Sequence, residues 1–262
     1  MVRKTRLNPT LFAMLLIEAE IIIFAFQDAT IKLLSENFPI WQVVFFRSVV
    51  ASWLLLTAIW ITRGLSSLGM ANLKANLMRA SMLFVSHIFY YLSIASLPLA
   101  TAVAINFSAP LFVVLLARPF LGERVSWRRW FAVCLGFLGV LVMVKPGGQL
   151  EIGVIFALLA SVCFAGVILL TRRLAQSESG HNVAFYSMFF FGIWATLGGV
   201  LVAWLDLPMT DHPGIRYLLL PWSEPELPAL GLLNLIGITA AVGHLFFALA
   251  YQHAEASLLA PL

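Results

Sequence analysis

Residues 17–34 read IEAEIIIFAFQDATIKLL, and residues 157–174 read ALLASVCFAGVILLTRRL. Laid on one another at a shift of 140, they place Phe24-Ala25 on Phe164-Ala165, Lys32 on Arg172 and Leu34 on Leu174. The same shift carries Val43 onto Val183 and Phe45-Phe46 onto Phe185-Tyr186. A shift of 156 then takes over, setting Tyr90-Tyr91 on Phe246-Phe247, Ala100-Thr101 on Ala256-Ser257 and Ala104 on Ala260. The chain therefore reads as two related copies, residues 8–146 and 151–262, with one longer loop in the second. Duplicated hydrophobic halves are a building plan of secondary transporters.

Composition points the same way. Hydrophobic residues make up 61% and charged residues 11% of the chain, and the mean hydropathy is +0.96. A water-soluble fold of this size needs more polar surface. Nine apolar runs stand out: 11–33, 41–61, 77–97, 100–117, 130–144, 153–171, 183–205, 229–251, and one from Ala256 to the end. A helix of about 20 residues crosses roughly 30 Å of hydrocarbon. The expected fold is an all-α polytopic membrane protein, an inverted repeat of five-helix bundles with about nine helices present. The last run is too short to cross, so the chain reads as a shortened form of a longer parent, and the transport expectation refers to that parent.

Assigning loops alternately to two sides gathers Arg3, Lys4, Arg6, Arg63, Lys74, Arg79, Arg118, Arg124, Arg128, Arg129, Arg172 and Arg173 on one of them. Only Lys32, Arg47, Lys145 and Arg216 remain on the other, a division of 12 against 4 among the 16 basic residues. Positive charge stays inside. The expected placement is the cytoplasmic membrane, multi-pass, with the N-terminus cytoplasmic and the 206–226 loop outside. An odd number of spans per copy turns the second upside down relative to the first. The net charge of +4 is explained by this topology, and no nucleic-acid partner is expected. The first span is too long for a cleavable signal. Cys134 and Cys163 fall inside spans and are expected as free thiols.

Local motifs carry a resemblance. Leu97-Pro98-Leu99-Ala100-Thr101-Ala102, Ser108-Ala109-Pro110-Leu111-Phe112, Leu121-Gly122-Glu123-Arg124 and Trp127-Arg128-Arg129-Trp130 resemble the drug/metabolite transporter superfamily, EamA type. Gly136-Phe137-Leu138-Gly139-Val140 with Lys145-Pro146-Gly147 resembles the family's fifth span, and 254–262 its ninth. The resemblance implies a ten-helix carrier of small metabolites, built from two inverted repeats around a central cavity and working by alternating access.

Candidate site residues follow from cost, since a charge at the bilayer centre is penalised by about 2.5 to 3.5 kcal/mol on insertion scales. Glu18 and Glu20 lie mid-span in the first helix, Asp28 nearer its outer end and Arg47 in the second. At 100° per residue Glu18 and Glu20 point roughly 200° apart, so one narrow cavity cannot receive both. Both are proton-coupling candidates, and Glu18 is also a substrate-binding candidate. The distantly related small multidrug resistance transporters are similar in using a first-helix glutamate. Arg47 offers a forked donor to an anion, or neutralises Asp28 or Glu36; Asp28 and Lys32 are spaced for a local pair. His87, Tyr90 and Tyr91 share one face of the third span and can present hydrogen bonds and aromatic surface, with His244 at the matching depth of the second copy. Asn106 sits between Ala102 and Ala109, where it can join helices or bind solute. Pro110 and Pro261 can loosen local helix bonding. Gly136, Gly139, Gly192, Gly198 and Gly199 read as close-contact positions.

The partners implied are a small-molecule substrate, the lipid bilayer and protons as coupling ion; a homodimer stays open. No cofactor, metal or catalytic residue is expected, because phosphate-loop, zinc-helix and nucleophile-elbow motifs are missing from the sequence. An enzyme embedded in the membrane would cluster acids, bases or metal ligands near one face. A non-transporting scaffold or fragment is the other alternative.

Overall fold

Every described element of the computed structural model is helical, and the described residues are 8–70, 72–122, 126–144, 151–175 and 177–259. The long helices are α1 (Pro9–Leu34), α2 (Ile40–Arg63), α3 (Leu73–Ser96), α6 (Trp127–Val144), α7 (Ile152–Leu174), α8 (Gly180–Leu205) and α10 (Leu227–His253). Shorter pieces are α4 (Leu99–Asn106), α5 (Ala109–Leu121), α9 (Pro213–Leu219) and α11 (Ala256–Leu259). Side-chain caps set several starts: Asn8 accepts from Thr10 N at 3.0 Å, Asn72 from Ala75 N at 2.9 Å and Ser179 from Asn182 N at 3.2 Å. Each satisfies an amide that the helix itself leaves free.

Among the described residues, seven of the nine expected spans are long and apolar enough to cross a membrane. In the fifth the apolar stretch is the shorter 130–139, and of the ninth only α11 is described. Lys145, Pro146, Gly147, Glu123, Arg124, Pro261 and the basic N-terminus lie outside the described residues.

Two features add detail to these spans and loops. The fourth span, counted among the seven as Leu99–Ala117, breaks between α4 and α5 at Phe107 and Ser108. Pro110 offers no N–H to the carbonyl of Asn106, and tight turns flank the break, with Ser108 N bonding Ile105 O at 2.9 Å and Leu111 N bonding Ser108 O at 3.0 Å. The 206–226 loop, in turn, holds helix α9. At one or two turns it is too short to show periodicity. Trp41 Nε1 donates to Leu218 O at 2.9 Å, while Gln42 donates to Ser223 O at 2.7 Å and accepts from Ser223 N at 3.1 Å. The loop is thereby fastened onto the start of α2.

The bundle is inside-out relative to a soluble protein. Phe26 and Trp204 are 72% and 78% exposed, as side chains that meet lipid can be, while Ala13, Ala51, Ala157, Ala165, Ala184 and Ala240 are fully buried. Small residues let helix backbones approach where the hydrophobic effect cannot drive association. α1 lies along α10, α3 along α7 and α2 along α8, with α2 also touching α10 and α3 touching α8. Exchange of α1 with α7, α2 with α8 and α3 with α10 maps this set of pairings onto itself.

The glycines divide unevenly. Among the described residues, nothing packs within 4 Å of where a side chain would begin at Gly136 or Gly139. Gly192 abuts Ser48, and Gly198 and Gly199 abut Trp41. Gly237 against Val50 and Gly243 against Phe24 seat α10 on α2 and α1. Replacing Gly237 with leucine is expected to cost about 1–3 kcal/mol through overpacking, read as a lower melting temperature in detergent, while Gly136→Ala leaves it unchanged.

Candidate functional site

A cavity of about 590 Å³ opens between α1, α3 and α4, with Phe164 of α7 at its wall. The carboxyl-bearing side is α1, which supplies Glu20, Gln27 and Asp28. Opposite stand Ser86, His87, Tyr90 and Tyr91 of α3, and Asn106 and Phe107 at the break in the fourth span. A discontinuous helix at a solute cavity is a recurring device in transporters, since irregular backbone is tolerated where it borders a polar space.

Of the two mid-span glutamates, Glu20 is 6% exposed and lines the cavity, whereas Glu18 is exposed on the outer side of α1. Helical geometry separates them as the spacing requires. Asp28 accepts a 2.6 Å hydrogen bond from Tyr90 Oη. It does not pair with Lys32 as the spacing of four allowed. Lys32 Nζ donates instead to the carbonyls of Ile94 at 2.6 Å and Leu97 at 3.2 Å, where the C-terminal end of α3 attracts a cation.

Behind the α3 wall lies Arg47, fully buried. Its Nη2 donates to Nε2 of His87 at 3.2 Å and to Nε2 of His244 at 2.9 Å. A guanidinium only donates, so each of these imidazole nitrogens is an acceptor. The proton of His87 then sits on Nδ1, which reaches Leu83 O at 2.9 Å. Arg47 is thus held by two neutral rings from α3 and α10, and it also lies 5.2 Å from the ring of Phe191. Its hydrogen bonds go to the histidines and not to Asp28 or Glu36, while the Asp28 carboxylate, engaged by Tyr90, still interacts electrostatically with the guanidinium. His87 lines the cavity; Arg47 and His244 stand one layer behind it.

Two buried polar groups are not evident from sequence alone. Arg79, which the loop alternation puts on the cytoplasmic side, is 1% exposed inside the bundle. It donates through Nε to Thr171 Oγ1 at 2.5 Å and through Nη1 to Ser187 Oγ. Glu178 is 8% exposed and accepts from Asn76 Nδ2 at 2.7 Å and Asn72 N at 3.0 Å, while Gln252 Nε2 donates to its backbone carbonyl at 2.8 Å. Glu178 has ordinary loop neighbours, Ser177 and Ser179, so nothing in the local pattern marks it. Together these contacts close the bundle at the end where α3 begins. The cavity lies toward the other end.

A model of the EamA-like transporter family matches residues 11–145, just over half of the chain. The chain belongs to this family. Among relatives of this EamA-like transporter, the S-adenosylmethionine uptake transporter of Rickettsia felis is 26% identical over 89% of this chain and 73% of its own. The pseudopaline exporter CntI of Pseudomonas aeruginosa is 29% identical over 90% of this chain and 77% of its own. A solved crystal structure with 18% sequence identity superposes with a TM-score of 0.70 over 95% of this chain and 82% of that one, which establishes a shared fold. The protein is therefore a multi-pass membrane transporter of small organic molecules.

Tyr90→Phe removes the hydroxyl that holds Asp28 and leaves a buried acceptor unpaired, a loss of about 1–3 kcal/mol. Thermal melting in detergent checks it, with Glu18→Gln as the comparison, expected to stay within about 0.5 kcal/mol of the parent.

Proposed function

We propose that this EamA-like transporter is a secondary carrier that exchanges protons for an organic solute at Glu20 and Asp28 as the cavity faces the two sides of the membrane in turn. The observation that carries the reading is the placement of two α1 carboxyls on one wall of a cavity whose other wall is His87, Tyr90, Tyr91 and Asn106. Carboxyls in a desolvated site bind protons or cationic groups competitively. Aromatic rings and an amide then favour an amphipathic or planar metabolite with a hydrogen-bonding edge. Glu18 takes no part in this reading. Arg47 and His244 act through His87.

Two further parts belong to the proposal. The chain is divided into inverted repeats at 8–146 and 151–262, which the self-mapping set of helix pairings supports. It sits in the cytoplasmic membrane with the N-terminus inside, as the charge division of the loops supports. Among the relatives one is named for uptake and one for export, so kinship leaves the direction to be measured.

A solute found by thermal-shift screening of a metabolite panel is loaded into proteoliposomes and followed by counterflow across a pH series. Glu20→Gln and Asp28→Asn are each expected to flatten the pH dependence and lower proton-driven accumulation at least tenfold, whereas Glu18→Gln keeps both. An unchanged pH profile in the Glu20 and Asp28 variants overturns proton exchange at these groups. Cysteine labelling is expected to place residues 63–76 and 118–129 on one side of the bilayer; opposite sides would overturn the inverted arrangement.

A further inference from the structure

Arg79 and Arg47 share an unusual condition. Both are buried in a membrane-spanning bundle at 1% and 0% exposure, and the groups they hydrogen-bond are uncharged: Thr171 and Ser187 for one, His87 and His244 for the other. Among the described residues, Nη2 of Arg79 and Nε and Nη1 of Arg47 have no hydrogen-bond partner. A buried cation with spare donors and only uncharged hydrogen-bond partners is costly to keep. A purely structural arginine would be cheaper beside a carboxylate. Glu178 instead bonds Asn76, three residues before Arg79 on α3.

We propose that Arg79 is a second anion-binding station on the solute path, nearer the start of α3 than Arg47, and that the two guanidiniums take the same oxyanion of the solute in turn. The inference rests on reading the cavity as that path, and it adds the solute's chemistry: a zwitterion, whose cationic group competes with protons at Glu20 and Asp28 and whose oxyanion the guanidiniums take. A guanidinium fork matches such a group in two parallel hydrogen bonds.

Spacing and partner chemistry support the two-station arrangement. Arg79 precedes His87 by eight residues on α3, about 12 Å of helix, so the second cation lies two turns beyond the cavity wall that covers the first. His87 and Tyr91 separate Arg47 from the cavity, and turning the His87 ring aside costs its bonds to Leu83 O and Arg47 while leaving the helix backbone intact. The partners of Arg79 are equally replaceable. Thr171 Oγ1 donates to Val167 O at 2.7 Å and Ser187 Oγ to Val183 O at 2.5 Å, so each hydroxyl keeps a bond of its own when the guanidinium turns to an anion. Ser187 also stands where the 140-residue shift places Arg47. Arg79 thus brings to the C-terminal part of the chain the positive charge that its own sequence lacks there.

The test works with the solute unidentified. In the full chain with Cys134 and Cys163 replaced by serine, single cysteines are introduced as Ser86→Cys, which reports on the cavity, and Thr171→Cys, which reports on Arg79. Each is treated in liposomes with the anionic sulfonatoethyl and the cationic trimethylammonium-ethyl methanethiosulfonate, and rates are divided by those of a free thiol. At Thr171→Cys the anionic reagent is expected to be favoured about tenfold or more, as one nearby unit charge in a partly desolvated site dictates. Arg79→Gln should bring the ratio to that of the free thiol, and Arg79→Lys should retain the preference. Modification of Ser86→Cys in each background shows that the variant has folded. A ratio indifferent to Arg79→Gln, or a Thr171→Cys that stays unmodified while Ser86→Cys reacts, overturns the second station alone. If Ser86→Cys stays unmodified from both sides, the cavity is not a solute path, and the proposed function fails with it.

Discussion

One guanidinium nitrogen, Nη2 of Arg47, is shared between imidazoles on α3 and α10, and this shared donor joins helices from both ends of the chain in a place where no water can substitute for a lost partner. A cation there must be satisfied by what the protein supplies. The tautomers of both rings follow from it, and with His87 fixed at Leu83 so does the orientation of the cavity's α3 wall. Tyr90 on the same helix then presents its hydroxyl toward α1, where Asp28 receives it. The arrangement of the site is a consequence of where a charge had to be accommodated.

Scaffold and chemistry obey different rules in this molecule. The helix pairings survive exchange of the N-terminal and C-terminal sets, and the contacts behind them come from small residues: alanines at the helix seams and glycines such as Gly237 and Gly243. Lys32 and Arg172 keep that correspondence, each donating to carbonyls near the C-terminal end of the matching helix, but the ionisable groups at the site ignore it. Glu20, Asp28 and Arg47 face Ala160, Ile168 and Ser187 in the matching stretch. Backbone packing in lipid depends on size and can be duplicated as a whole, whereas a charge in hydrocarbon is expensive enough that a second copy is retained only where it has work to do.

Much of this architecture is legible in the sequence because apolar length and repeat register are long-range signals that single residues do not disturb. The separation of Glu18 from Glu20 follows from helix geometry alone. What escapes is local or tertiary. The break at Phe107 hinges on one missing amide at Pro110 inside an otherwise uniform apolar run. Helix α9 is too brief to carry a period, and it is held by Trp41 and Gln42 from far along the chain. Arg79 looks like one more basic residue near a loop because burial is not written in residue type. Gly136 and Gly139, conversely, look like contact positions but meet no neighbour among the described residues; spacing identifies a candidate seam, and the neighbour that fills it comes from another helix.

Gln42 binds both the N–H and the C=O of Ser223, and this two-point grip ties the end of the 206–226 loop to α2, while α9 within it packs mainly on α3. On the alternating-access reading, a rigid-body tilt of α8 or α10 strains their own connector, which works as a tether of limited slack. One glutamine amide thereby sets part of the range of that tilt.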